Sequence, residues 1–197
     1  MEFFMKIFLV ALTAIVFENT IFTRAIGTST MLIAAKNKKE LIPFGLSITY
    51  ICTASSVLTY FADKYLLSSE ASVLYMPLVY VSIIGIVYVI TLLSMWKWAY
   101  NLFIRIKKFV HLSAFNCAVL GTLFLNRYES DSFLGYIIFG LGTGIGFFFA
   151  SYLVSVSYDK LNSPKVPQAF RGFPITMIYI GIISMAFFVL TGTMPKI

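Results

Sequence analysis

The sequence predicts an all-α integral membrane protein: six transmembrane helices in a single domain spanning residues 1–197, built as two inverted three-helix repeats over about 1–98 and 99–197. Three observations carry that prediction. Of the 197 residues, 59% are hydrophobic and only 12% are charged, with a mean hydropathy of +0.89. A charged surface large enough to wrap a water-soluble core is therefore missing. The apolar residues gather into six long runs separated by short charged clusters. Polar residues interrupt the first and the fourth run, which are the leading segments of two halves. An odd number of spans in each half makes the halves opposite in orientation, and interrupted helices at matching positions mark a functional site near the midplane.

Taken in order, the runs are about Phe3–Phe22, Leu41–Ala62, Val73–Met95, Phe109–Leu125, Phe133–Ser157 and Phe173–Gly192. Most approach or exceed the roughly 20 residues that a helix needs to cross the hydrocarbon at 1.5 Å per residue. They are too long for barrel strands and lack sustained period-two alternation. The first run is clean only from Ile7 to Phe17; it then meets Glu18-Asn19-Thr20, Arg24 and Gly27-Thr28-Ser29 before turning apolar again at Met31–Ala35. No small-residue cleavage site follows it, so the first helix is expected to remain. The second and third runs end in Tyr60, Tyr65, Tyr75, Trp96, Trp98 and Tyr100, aromatic residues suited to the membrane interface. The fourth is short and holds Asn116-Cys117 near its middle, with Gly121 just after. In the fifth, Gly140, Gly142, Gly144 and Gly146 lie in a G-x-G-x-G-x-G run. That spacing, with no strand before it, excludes a dinucleotide fingerprint and predicts close helix packing on small faces.

The charges are read as topology. Lys36, Lys38 and Lys39, then Lys97, Arg105, Lys107 and Lys108, then Lys160, Lys165 and Arg171 fall in alternate connections, ten of the 15 Lys and Arg residues. Lys6, Lys64, Arg127 and Lys196 fall on the opposite side, and Arg24 is unassigned. The positive-inside rule then puts these ten charges in the cytoplasm and both termini outside it. The net charge of +7 is spread along membrane edges rather than gathered with stacking aromatics, so no nucleic-acid partner is expected.

Glu18, Asn19, Arg24 and Asn116 are costly inside a membrane segment unless they face a cavity, a partner or the interface, which makes them candidates for a polar pathway. Lone His111 has no spaced His, Asp or Glu to complete a zinc site and reads as interfacial. No nucleophile, base and orienter combine, so self-contained enzyme chemistry is not expected. Cys52 and Cys117 both lie in apolar segments, where each is either a packing residue or a ligand. Two thiolates cannot hold an iron–sulfur cluster alone, so such a site would have to be shared.

Asn116-Cys-Ala-Val-Leu-Gly121 with Leu125-Asn126, Gly140-Leu-Gly-Thr-Gly-Ile-Gly-Phe147 and Pro167-Gln-Ala-Phe-Arg-Gly-Phe-Pro-Ile175 resemble the A-type and E-type membrane components of the Rnf (Rsx) electron-transport complex and the D-type and E-type components of the sodium-pumping NADH:quinone reductase. The resemblance covers nearly the whole chain, and the expected topology is similar to the A-like branch. It implies a component that couples electron transfer to Na⁺ or H⁺ translocation. A [2Fe–2S] cluster shared with the paralogous E-type subunit would carry electrons across the membrane, with the B, C, D and G components as further partners. On that resemblance Cys117 is one ligand of the shared cluster. Ser29 stands where the family has its other cysteine: the family reads Leu-Gly-Ile-Cys-Pro-Phe, and this chain reads Ile26-Gly-Thr-Ser-Thr-Met31. The rival expectations are an ion or small-solute transporter built from the same repeats and a structural subunit lacking the cluster.

Overall fold

A computed structural model describes residues 2–17, 19–36, 38–66, 74–130 and 132–191. Val73, Gly192 and Lys196 lie outside the described residues. Helix α1 (Glu2–Leu12) runs into a π-helical turn (Thr13–Phe17); after a break come α2 (Thr28–Lys36), α3 (Lys38–Tyr65) and α4 (Met76–Trp98). The remaining helices are α5 (Tyr100–Ala114), α6 (Cys117–Glu129), α7 (Phe133–Leu161) and α8 (Phe173–Thr191), with a 3₁₀ turn at Gln168–Phe170. Helices α3, α4 and α7, of 28, 23 and 29 residues, are each long and apolar enough to cross a membrane, and α5 with α6, bent by 54° at their break, is together long and apolar enough for a broken span or a re-entrant loop. The protein is an all-α multi-pass membrane protein. Each of its halves opens with a broken pair of helices and continues with two more.

Helix α5 begins at Tyr100, well before the expected start of the fourth run at Phe109. A single residue, Ala99, separates it from α4, so the cations expected in a loop are carried on a helix. The physical reason is amphipathicity: Ile104, Arg105, Lys107, Lys108 and His111 are exposed, whereas Phe103, Ile106 and Val110 turn inward at helical spacing.

At the centre α7 packs along α3 through its glycines. A Cβ on Gly140 would come within 2.6 Å of Ser56 Oγ, and one on Gly144 would collide with Thr49 of α3. The alternate glycines serve a second neighbour: a Cβ on Gly142 would meet Ala14 at 2.7 Å, and one on Gly146 would meet Ile15 O in the π turn at 3.0 Å. Two small faces on one helix let it sit between two others at backbone contact. Hydroxyls in the interior bond back to their own helices, as Thr49 does to Gly45 O, Thr122 to Ala118 O and Thr143 to Phe139 O. Such bonds satisfy polar side chains where no water is available.

The two ends of the molecule are tied differently. At one end Lys38 pairs with Asp159 at 2.8 Å and Lys108 with Glu40 at 3.4 Å, both largely exposed. These pairs bring three cation-bearing connections to a common end, as the charge pattern predicts. At the other end the Asp63 side chain is only 10% exposed. It accepts hydrogen bonds from Tyr80 Oη at 2.7 Å and Tyr136 Oη at 2.8 Å, and Arg127 Nη1 lies 3.6 Å away. Asp63 is absent from the residues expected to matter; an acidic side chain at the edge of an apolar run is the signal that could have found it.

Candidate functional site at two helix breaks

The two breaks expected from the sequence are present, and they meet. In the first, the π turn ends and Asn19 turns the chain. Its Nδ2 donates to Ile15 O at 2.9 Å and to Gly146 O of α7 at 3.1 Å, while its Oδ1 accepts from the Ile21 and Phe22 amides at 3.1 and 3.2 Å. Asn19 is 1% exposed, and these four bonds to backbone use both of its protons and both acceptor positions. The chain then passes through Ala25 and Gly27, both at positive φ (56° and 85°), before α2 begins at Thr28.

The second break is short. Phe115 ends α5, and Asn116 is extended and caps α6, its Oδ1 accepting from the Ala118 amide at 2.9 Å. Asn116 is 3% exposed, and its Nδ2 has no hydrogen-bond partner; Thr20 Oγ1 and Ser113 Oγ are likewise buried and unpartnered near the two breaks.

Gly27 brings the breaks together. A Cβ there would lie 2.7 Å from Asn116 Oδ1 and 2.9 Å from Ala118 Cβ, and only glycine combines this approach with a left-handed φ. The N-termini of α2 and α6 thus face a common point and the helices diverge from it, α2 toward the end bearing Lys38 and α6 toward the end bearing Arg127. Asn116 caps the Ala118 amide at the start of α6, yet each N-terminus still presents the positive end of a helix dipole, so their convergence favours a negatively charged group. Cys117 and Ser29, in the first turns of the two helices, are both exposed.

The other candidates distribute as follows. Asn19 and Asn116 are buried at the two breaks, Arg24 is exposed on the connection between Asn19 and α2, and Glu18 lies outside the described residues. Cys52 is buried in α3 with its Sγ 3.8 Å from Thr122 Oγ1 of α6, a packing position. His111 pairs with Tyr88 Oη through Nδ1 at 3.0 Å. Among the described residues no three His, Cys, Asp or Glu side chains gather to hold a metal ion.

Over residues 7–194 the sequence matches the family described as Rnf-Nqr subunit, membrane protein. The chain belongs to the Rnf-Nqr family. Among its relatives in that family, a protein of Aliivibrio fischeri, named as the A component of an ion-translocating oxidoreductase complex, is 29% identical over 184 residues, covering 93% of this chain and 95% of the relative. Proteins of the same name from Aliivibrio salmonicida and Vibrio vulnificus are each 28% identical over 184 residues, covering 93% of this chain and 95% and 96% of the relatives. Membership in the Rnf-Nqr family is what the Asn116–Gly121 and Gly140–Phe147 motifs led one to expect.

Proposed function

We propose that this chain is the A-type membrane component of an Rnf-type ion-translocating oxidoreductase complex, and that the meeting point of α2 and α6 is half of a site completed by another subunit. In this reading the chain crosses a prokaryotic inner or plasma membrane six times, as two inverted halves, with both termini outside the cytoplasm. Its partners are the B, C, D and G components of the complex and the paralogous E-type subunit. The name shared by the relatives, one lettered component of a complex, supports a multi-subunit assembly.

The observation that carries the reading is the head-to-head approach of two half-helix N-termini with Cys117 and Ser29 exposed in their first turns. The residues of this chain alone do not fit a complete [2Fe–2S] cluster: such a centre takes four ligands, and Cys52 is committed to the core. They fit half of a shared one, with Cys117 as a thiolate ligand and Ser29 at the second position. A bound cluster would supply one-electron transfer. This chain would supply a rigid backbone cradle, set by Gly27, and two converging helix dipoles that favour the cluster's negative charge. An oxygen ligand suits iron–sulfur chemistry less well than thiolate, so Ser29 favours weaker retention than a cysteine would. The same serine supports a second reading, a structural subunit without the cluster.

Iron analysis and electron paramagnetic resonance on the purified complex decide between them. The expected result is a reduced-cluster signal that Cys117→Ala abolishes, Ser29→Cys strengthens and Cys52→Ala leaves intact. Loss of iron in the Cys52 variant with retention in the Cys117 variant overturns the ligand assignment, and a wild-type complex without iron at this site leaves the structural role. Tags at either terminus should report from outside the cytoplasm and tags between Lys97 and Lys108 from inside; the reverse pattern overturns the orientation.

A further inference from the structure

At the cation-rich end, α4 and α5 enclose a cleft of about 290 Å³ lined by Tyr88, Leu92, Phe103, Lys107, Lys108 and His111. We propose that this cleft binds the headgroup of an anionic phospholipid, a role independent of the site at the helix breaks.

Charge is the first ground. Two lysines and a histidine line the cleft, and no carboxylate does. Lys107 Nζ rests 5.8 Å from the Phe103 ring centroid, and among the described residues no carboxylate pairs with it. Lys108 reaches Glu40 only at 3.4 Å, with 67% of its side chain exposed, which leaves its other protons available. Other cations at this end are more fully engaged: Lys38 holds Asp159 at 2.8 Å, and Arg171 donates to the Val166 and Pro164 carbonyls at 2.7 Å each. An acceptor-rich anion is the complement of Lys107 and Lys108. The Tyr88–His111 hydrogen bond at 3.0 Å fixes two of the lining side chains against each other.

Depth is the second ground. Through Glu40, Lys108 stands level with the first turn of α3, and the exposed Trp96, Trp98 and Tyr100 lie at the same end. That is the headgroup level, where indole and phenol rings reside and lysines meet lipid phosphate. The third ground is the wall outside the cleft: Leu93 and Ile104 are 60% and 55% exposed and give acyl chains an apolar track beside the two lysines. The volume lies near the lower end of the roughly 300–1,000 Å³ of small-molecule sites, room for a phosphate and glycerol but not for the chains. Basic recesses between helices on the cytoplasmic side are where acidic headgroups bind.

The test uses the whole complex in detergent, titrated with phosphatidylglycerol or phosphatidylcholine, with bound lipid counted by native mass spectrometry. Wild type should prefer phosphatidylglycerol. Lys107→Gln with Lys108→Gln should lower that affinity roughly thirtyfold. Lys107→Glu, which leaves the Lys108–Glu40 pair in place, should erase the preference even if the double variant fails to assemble. Lys97→Gln, at the same end but outside the cleft, should change nothing. Equal affinity for the two lipids in wild type, an undiminished preference in Lys107→Glu, or displacement of the lipid by inorganic phosphate would each overturn the proposal. So would a complex that binds no lipid here because another subunit covers the cleft.

Discussion

The two helix breaks arrive at the same arrangement, an exposed first-turn residue at a half-helix N-terminus, by different chemistry. The first spends a π turn, a buried asparagine with four backbone hydrogen bonds and two residues at positive φ. The second needs only Phe115 and an extended Asn116 that caps α6 and leaves its amide nitrogen unpartnered. The long break is held by polar satisfaction, the short one by packing against Gly27. Their failure modes should therefore differ.

The largest effect is expected at Asn19. Asn19→Leu strands the buried Ile21 and Phe22 amides and removes the tie to the Gly146 carbonyl of α7, and should lower stability by about 4 kcal/mol at about 1–3 kcal/mol per stranded group. Unfolding in mixed micelles would measure it; a loss under about 1 kcal/mol, less than one stranded group, would mean that these bonds do not hold the break. Next is Gly27→Ala, which imposes a Cβ on a left-handed backbone and against Asn116 and Ala118. A loss of about 2–3 kcal/mol is expected from conformational and steric terms together. Protection of Cys117 from thiol reagents should also change, because the same glycine sets how closely the two helix ends approach.

At the second break Asn116→Ala should cost only about 1 kcal/mol, the ordinary value of a helix cap, since it also removes an unsatisfied donor. Asn116→Ser keeps a capping oxygen without the stranded amide and should fall within about 0.5 kcal/mol of wild type. Equal losses for alanine and serine would show that the capping oxygen is not what the asparagine contributes at this break. The smallest effect belongs to Ala25→Gly, which relieves a left-handed alanine and should raise stability by about 0.5–1 kcal/mol. The second break has no counterpart to that gain.

How much of this is legible in the sequence follows the same division. The breaks are visible because Glu18-Asn19, Gly27-Thr28-Ser29 and Asn116-Cys117 interrupt apolar runs, and a polar residue in hydrocarbon has few ordinary explanations. The packing role of Gly140–Gly146 is visible from spacing alone, and contact with α3 on one face and the π turn on the other follows it. The start of α5 is hidden because Arg105, Lys107 and Lys108 lower local hydropathy, although an amphipathic helix carries such residues on one face without ending. The meeting of α2 with α6 cannot be read, because Gly27 and Asn116 are brought together by tertiary packing that no local pattern encodes. Asp63 is inconspicuous for a related reason: its meaning lies in Tyr80, Arg127 and Tyr136, each remote in sequence.

That carboxylate also says something about how the chain is made. Asp63 meets Tyr80 across 17 residues, so this contact can form as soon as α3 and α4 have been inserted. Tyr136 comes 73 residues after Asp63, and Arg127 emerges only with α6. Until then the nascent first half holds a carboxylate at the membrane edge with a phenol for company and its guanidinium partner still to come. A buried pair missing one member costs about 3–5 kcal/mol. The first half is therefore not self-sufficient, and synthesis of the second half completes a charge balance that the first half opened.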